Sequence, residues 1–262
     1  MRLMTYNILT GGSDGASDAR LAKVAQVILG VSPDILVLNE CNGFERQGYQ
    51  TFYRLEAELQ MRGVLAEAES GFHVGLFFRR GRLLETRCLR REVQHAVLSA
   101  TLDVDGQRLK VIGGHLSPFG GEARLLEVQH LIRYLREEPA FIVGDLNALS
   151  PHDVGAYTPE RWLPRRRARH SLAGSPGTLD TRAVSALEAC ELVDLFRGEA
   201  GQAAAPTALT RLGEGFLDYQ VRIDYVFATR SLAERVVRRE RVDGELADAA
   251  SDHYPLYIDV EL

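Results

Sequence analysis

The residues that could do chemistry stand at the ends of short apolar runs. In Phe141-Ile142-Val143-Gly144-Asp145-Leu146-Asn147 such a run stops at a glycine and then presents a carboxylate and an amide two positions apart. Side chains alternate faces along an extended chain, so Asp145 and Asn147 are expected to point one way while Leu146 points back into the core. The same arrangement recurs in Leu3-Met4-Thr5-Tyr6-Asn7, Ile35-Leu36-Val37-Leu38-Asn39-Glu40, Val111-Ile112-Gly113-Gly114-His115 and Arg222-Ile223-Asp224-Tyr225-Val226-Phe227. Ser251-Asp252-His253 directly precedes the last apolar run. Glu40 ends a continuous apolar strand, where an ionised carboxylate is costly unless it finds a cation. One or two carboxylates, completed by waters and a substrate phosphate, are the ordinary surroundings of magnesium. His253 sits beside Asp252 on a loop: a neutral imidazole near a phosphoryl centre can take a proton from water, an imidazolium stabilises the pentavalent charge, and a paired carboxylate fixes which state is present.

In order, the motifs TYN, LNE, GGHL, GDLN, RIDYVF and SDH resemble the endonuclease/exonuclease/phosphatase superfamily, the DNase I-like fold. The resemblance spans nearly the whole chain and rests on all six together, since any one alone is weak. It implies an α/β (α+β) fold, a four-layer sandwich of two packed mixed β-sheets flanked by helices, with the site at one end of the sheets. It implies Glu40 as the principal ligand of Mg2+, with Mn2+ as a substitute, and Asp252 as a neighbouring acid of the metal shell. By the same resemblance Asp224 partners His253, and Asp145 orients or deprotonates the attacking water. Asn7 and Asn147 are neutral donors to the phosphate, and His115 stabilises the phosphate or assists the leaving group. These are the parts that phosphoester hydrolysis needs: a Lewis acid, a positioned water and preorganised donors. The implied mechanism is in-line attack without a covalent enzyme intermediate. One departure is Leu9, which stands where some members carry a second metal-contacting acid and so favours one tightly held metal.

Other residues have two readings. Arg124, nine residues after His115, either clamps a phosphate bidentately or is a helix-surface charge. Arg222 shares a face with Asp224 by alternation and either contacts phosphate or is ion-paired within the fold. His152, with Asp153, follows the GDLN strand and either lines the pocket or is solvated. Trp162, the one tryptophan, lies in the basic segment Arg161–Arg169, which either meets phosphates and a base or is a solvated charge run. His73, His95 and His130 are read as structural.

Stepping outward to the elements, residues 2–8 read as a buried strand, a helix follows from Asp18 with a stop at Gly30, and the next strand is 35–39. A helix is expected over about 50–61 and strands near 64–67 and 74–79. Residues 96–104 alternate cleanly, Asp105-Gly106 signals a hairpin, and 107–114 delivers His115. A helix over 122–136 leads to the strand ending at Asp145. Residues 148–180 have no clean period and contain Pro151, Pro159, Pro164, Pro176 and several glycines, so a lid or substrate-facing insertion is expected there. A helix at 181–190, the run Leu192–Phe196, a Gly/Ala linker at 198–206 and strands at 222–228, 233–242 and 254–262 complete the chain.

The site motifs run from Asn7 to His253, so the two ends of the 262-residue chain must meet, and one domain spanning 1–262 is expected. A hydrophobic share of 45% and a charged share of 26% suit a globular protein with a large core. No apolar run is long enough to cross a bilayer, and the first residues read as a strand instead of a leader, which gives the expectation of a cytoplasmic protein. Three widely spaced cysteines imply neither a disulfide framework nor a zinc finger. The net charge of −5 argues against a constitutively nucleic-acid-coated protein but allows a local basic patch. The expected function is metal-dependent phosphodiester hydrolysis on nucleic acid. The alternative is the same chemistry on an inositol-phosphate or sphingomyelin-type substrate, and a catalytically silent phosphate-binding member is the third reading.

Overall fold

Two parallel strand pairs organise the fold, and each exists because a helix carries the chain back to its starting edge. β1 (Arg2–Asn7) leads to α1 (Ala19–Val31), which buries Leu21, Val24, Ala25 and Ile28 and ends where Ser32 turns left-handed and donates its N–H to the Ile28 carbonyl. β2 (Ile35–Asn39) then runs parallel to β1 with Asn39 opposite Asn7. In the second half, β6 (Val97–Val104) and β7 (Gln107–His115) form the expected hairpin, with positive φ at both Asp105 and Gly106. α3 (Gly121–Ile132) crosses over to β8 (Ala140–Asp145), parallel to β7 with His115 opposite Asp145. The computed structural model describes residues 1–15, 17–135, 139–157, 178–199, 202–213 and 220–262.

The remaining strands are β3 (Arg62–Ala66), β4 (Val74–Phe78), β5 (Arg82–Leu89), β9 (Leu192–Asp194), β10 (Asp224–Thr229), β11 (Val236–Arg241) and β12 (Leu256–Val260). They give two six-stranded mixed sheets, in the orders β11-β12-β1-β2-β4-β3 and β5-β6-β7-β8-β10-β9. Alternation along each strand divides its apolar residues between two cores. Leu3, Val37, Leu76, Val111, Val143 and Val226 fill the space between the sheets. Met4 and Leu36 pack outward against α1 and against α2 (Arg46–Leu59). Ile112, Ile142 and Phe227 pack outward against α3 and α4 (Arg182–Ala189). The layers are therefore helix, sheet, sheet, helix, which is the DNase I-like arrangement.

β12 lies antiparallel to β1, with Arg2 opposite Asp259, and this pairing carries Ser251-Asp252-His253 to the Asn7 end of the first sheet. β10 lies antiparallel to β8 with Asp224 opposite Asp145. One row, Asn7 and Asn39, thus faces another, His115, Asp145 and Asp224, across the end of the sandwich. The close approach depends on glycine. A Cβ on Gly113 would lie 2.7 Å from Val37 Cγ1, and one on Gly144, at φ 131°, would lie 2.1 Å from the Gly114 carbonyl oxygen.

Several boundaries differ from the sequence reading. The regular part of α2 starts near 50 as expected, because Gln47, Gly48 and Tyr49 all have left-handed φ. β5 was not anticipated: its Arg82–Leu89 pattern is half exposed, as suits an edge strand, and carries no clean alternation. The expected strand at 233–242 is α5 (Arg230–Ala233) followed by β11, and α6 (Glu245–Asp248) follows it. Of the 148–180 segment, 148–157 and 178–180 are described and include one 3-10 turn, Val154–Ala156. Trp162 and Arg161–Arg169 lie outside the described residues.

Candidate active site

Asn7 is the hinge between two groups of carboxylates. Its Nδ2 donates to Glu40 Oε1 at 3.1 Å and to Asp145 Oδ2 at 3.0 Å, while its Oδ1 accepts the Leu9 N–H at 3.1 Å. Both amide hydrogens are therefore spent on carboxylates, which corrects the expectation that Asn7 holds a phosphate oxygen. Glu40 leaves β2 with φ 62°, and its Oε2 accepts the Thr10 N–H at 2.8 Å. Burial pushes its carboxyl pKa up, and the nearby charge of Asp252 adds to the rise.

On the other side, His253 Nδ1 meets Asp224 Oδ2 at 2.8 Å, and its Nε2 lies 3.9 Å from Asp145 Oδ2 and 4.0 Å from Asp252 Oδ1. Burial by itself lowers an imidazole pKa, but the charges of Asp224, Asp252 and Asp145 outweigh it and hold His253 well above its usual value. Burial first, and the Asp224 charge second, push Asp145 up to about 7. Asp145 also accepts the Asn147 N–H on Oδ1 at 2.9 Å and has His115 Nε2 at 3.6 Å from Oδ2. Asp145, Asp224, His115 and His253 are all less than a tenth exposed.

Asn147 does not continue the strand. β8 ends at Asp145, and Asn147 takes a left-handed φ of 47° and donates Nδ2 to the Leu116 carbonyl at 3.0 Å. Simple alternation therefore fails at this residue, whose amide braces the turn after His115. Arg124 is buried, so the helix-surface reading fails: its Nη1 donates to the Ser117 carbonyl at 3.1 Å, and burial lowers its pKa although Asp180, Glu127 and Asp145 oppose that. Arg222 is corrected outright as a substrate contact. It is 0% exposed, with Nε on Asp153 Oδ2 and Nη1 on Asp194 Oδ2, both at 2.7 Å, so it is ion-paired within the fold. His152 Nε2 is paired with Glu188 Oε1 of α4 at 2.9 Å, away from the carboxylate row.

Two residues that hold the site were not singled out from the sequence. Asn39 donates Nδ2 to the Gly114 carbonyl at 2.9 Å and accepts the Asp145 N–H on Oδ1 at 3.0 Å, tying the two sheets together beside the Asp145 carboxylate. Its signal was present: an amide inside an apolar run, on the opposite face from Glu40. Arg20, a buried residue of α1, donates to the carbonyls of Ile8, Leu9, Ser13 and Ala250, and so joins the loop after β1 to the segment that carries Asp252 and His253. No sequence period distinguishes it from a surface arginine.

The model for the endonuclease/exonuclease/phosphatase family matches residues 4–253, spanning every motif described above. The chain belongs to that family. No curated protein matches it. Among solved structures, it is similar to an AP endonuclease from Archaeoglobus fulgidus (TM-score 0.73, 19% identity, 100% of each chain covered). It is also similar to a 3'-5' exonuclease from Neisseria meningitidis (TM-score 0.70, 16% identity, 100% of each chain). The human nocturnin catalytic domain matches with a TM-score of 0.64 and 17% identity over 100% of this chain and 94% of that one. At these identities the likeness is one of fold.

The donor set fits a hard divalent cation. Asp224, Asp145 and Asp252 surround the His253 imidazole, Asn7 links Glu40 to Asp145, and the upward push on Glu40 and Asp145 is the electrostatic strain that a cation relieves. Among the described residues, Asp145, Asp224 and His253 offer ligand atoms within 4.8 Å of one another. The Nδ1 of that histidine is already committed to Asp224.

Proposed function

We propose that this chain hydrolyses a phosphodiester bond of nucleic acid with the help of Mg2+ or Mn2+. The observation that carries the reading is the chain of contacts from Glu40 through Asn7 to Asp145 and on to the His253–Asp224 pair, which sets an acid-rich end beside an imidazole end. A divalent ion held by Glu40, with Asp252 beside it, would supply a Lewis acid for the phosphoryl group. Asp224 fixes the His253 ring through Nδ1, so Nε2 is turned toward Asp145 and Asp252. With the pKa held high, His253 is an imidazolium whose Nε2–H can donate to a non-bridging phosphoryl oxygen as charge builds there. Asp145 is the acceptor for the proton of the attacking water, since a carboxylate pushed up to about 7 is basic enough for that task near neutral pH. His115, with its Nε2 3.6 Å from Asp145 Oδ2, serves the leaving oxygen. The water oxygen bonds to phosphorus as the ester P–O bond breaks, with no enzyme intermediate.

Nucleic acid is favoured because the similar structures include an AP endonuclease and a 3'-5' exonuclease, and because the sequence holds a basic, tryptophan-containing segment at Arg161–Arg169. The test is nicking of supercoiled plasmid with Mg2+ and with chelator, comparing the wild type with His253→Ala purified identically. Metal-dependent nicking that is lost in the variant is the expected result, and its rate should fall steeply with salt. Equal nicking by both proteins, or none by either, would overturn the general endonuclease reading and turn attention to small or lipid phosphoesters.

A further inference from the structure

His95 reads from the sequence as a structural histidine, yet its ring packs at a tilt against that of a candidate-site residue. The His95 and His115 ring centroids are 4.2 Å apart with 36° between planes. Phe72 packs against the flank of this pair, 4.8 Å from the His95 ring and edge-on to His115 at 6.2 Å. His95 Nδ1 is 2.9 Å from the Ser70 hydroxyl, which in turn accepts the Phe72 N–H at 3.4 Å. Ser70 and Phe72 belong to the turn between β3 and β4 of the first sheet, whereas His95 stands just before β6 and His115 at the end of β7, in the second. The His115 N–H is bonded to the carbonyl of Ala96, next to His95, at 3.2 Å. The stack therefore spans the mouth of the sandwich and ends on the imidazole whose Nε2 is 3.6 Å from Asp145.

We propose that His95 is a positioning residue: stacked on His115 and oriented by Ser70, it fixes the angle at which His115 faces Asp145 and the reacting phosphoryl group. Its effect on turnover rests on the hydrolase reading above, but the contact does not. A ring that can swivel about χ1 and χ2 spends only part of its time in a productive orientation, and a flat neighbour at van der Waals distance removes that freedom. A histidine serves better than an aliphatic residue because it offers a flat face and a hydrogen-bonding edge together.

The test compares His95→Ala, His95→Phe and Ser70→Ala on a plasmid or oligonucleotide substrate with Mg2+. His95→Ala is expected to lower kcat by about tenfold or more while KM changes less than about twofold, the pattern of a misplaced group rather than a lost binding contact. His95→Phe keeps the flat face and should recover most of kcat, and Ser70→Ala should fall between. Crystal structures of the two His95 variants supply a readout independent of turnover: the His115 ring should swing away from Asp145 in His95→Ala and keep its place in His95→Phe. An unmoved His115 in His95→Ala would overturn the inference whatever the substrate. So would a loss of kcat that tracks a loss of Tm and is not recovered by His95→Phe. If the wild type cuts no nucleic acid but the ring moves as expected, the hydrolase substrate is wrong and the positioning contact stands.

Discussion

Replacing Asp145 by asparagine should stabilise the metal-free protein at high pH and leave it nearly unchanged at low pH. Asp145 is 2% exposed, and burial together with the Asp224 charge raises its pKa from 3.8 to about 7. An acid whose folded pKa lies above its unfolded one binds more protons folded than unfolded between the two values. Its contribution to stability therefore falls as pH climbs from about 4 to about 7. At 1.36 kcal/mol per unit, the ceiling is about 4 kcal/mol, with the opposing pull of the neighbouring His253 imidazolium already included. At pH 5 the protonated carboxyl and the amide are alike in shape and hydrogen-bonding capacity, so the two proteins should melt within a few degrees of each other. At pH 8 in EDTA the variant should melt higher by up to about 8–16 °C, taking about 2–4 °C per kcal/mol for a chain of this size. Mg2+ at pH 8 should narrow the gap by raising the wild type, because a cation beside the carboxylate favours its ionised form. The assay is thermal unfolding by circular dichroism at both pH values. A difference that is the same at pH 5 and pH 8, or a variant that is less stable at pH 8, would refute the account of Asp145 as a buried, strained acid.

Two further perturbations test how the site is held. Asn39→Ala strips the Gly114 carbonyl and the Asp145 N–H of their partner at once; at about 1–3 kcal/mol for each buried group left unpaired, urea titration should show a loss of about 2–6 kcal/mol, and an unchanged midpoint would remove Asn39 from its role as the inter-sheet clip. Arg222→Met leaves Asp153 and Asp194 buried without their cation and should cost about 3–5 kcal/mol by the same titration. A rise in KM at unchanged stability would instead return Arg222 to the substrate.

The sequence by itself carried the family, the layer architecture and most of the polar groups that meet at the candidate site, because each motif is local: an apolar run long enough for one strand, ended by one or two polar residues. Strand alternation is a property of a few consecutive residues, so Glu40, Asp145 and Asp224 could be placed at strand ends without knowing their neighbours. The same rule failed where the strand stopped, at Asn147, whose left-handed turn is set by contacts with Leu116 and Asp145. Only the tertiary structure decided what each polar group faces. Arg124 and Arg222 are both arginines near a motif, yet one braces the turn after His115 and the other neutralises two carboxylates from distant segments. Asn7 looked like a donor to substrate until the packing of two sheets put two carboxylates within reach of its amide. His95 carries no local sign of its place beside His115, because that contact is made by strand registry and by a turn of the other sheet. Pairing between residues far apart in sequence depends on how the sheets close on one another, and that information is spread over the whole core instead of residing in any one motif.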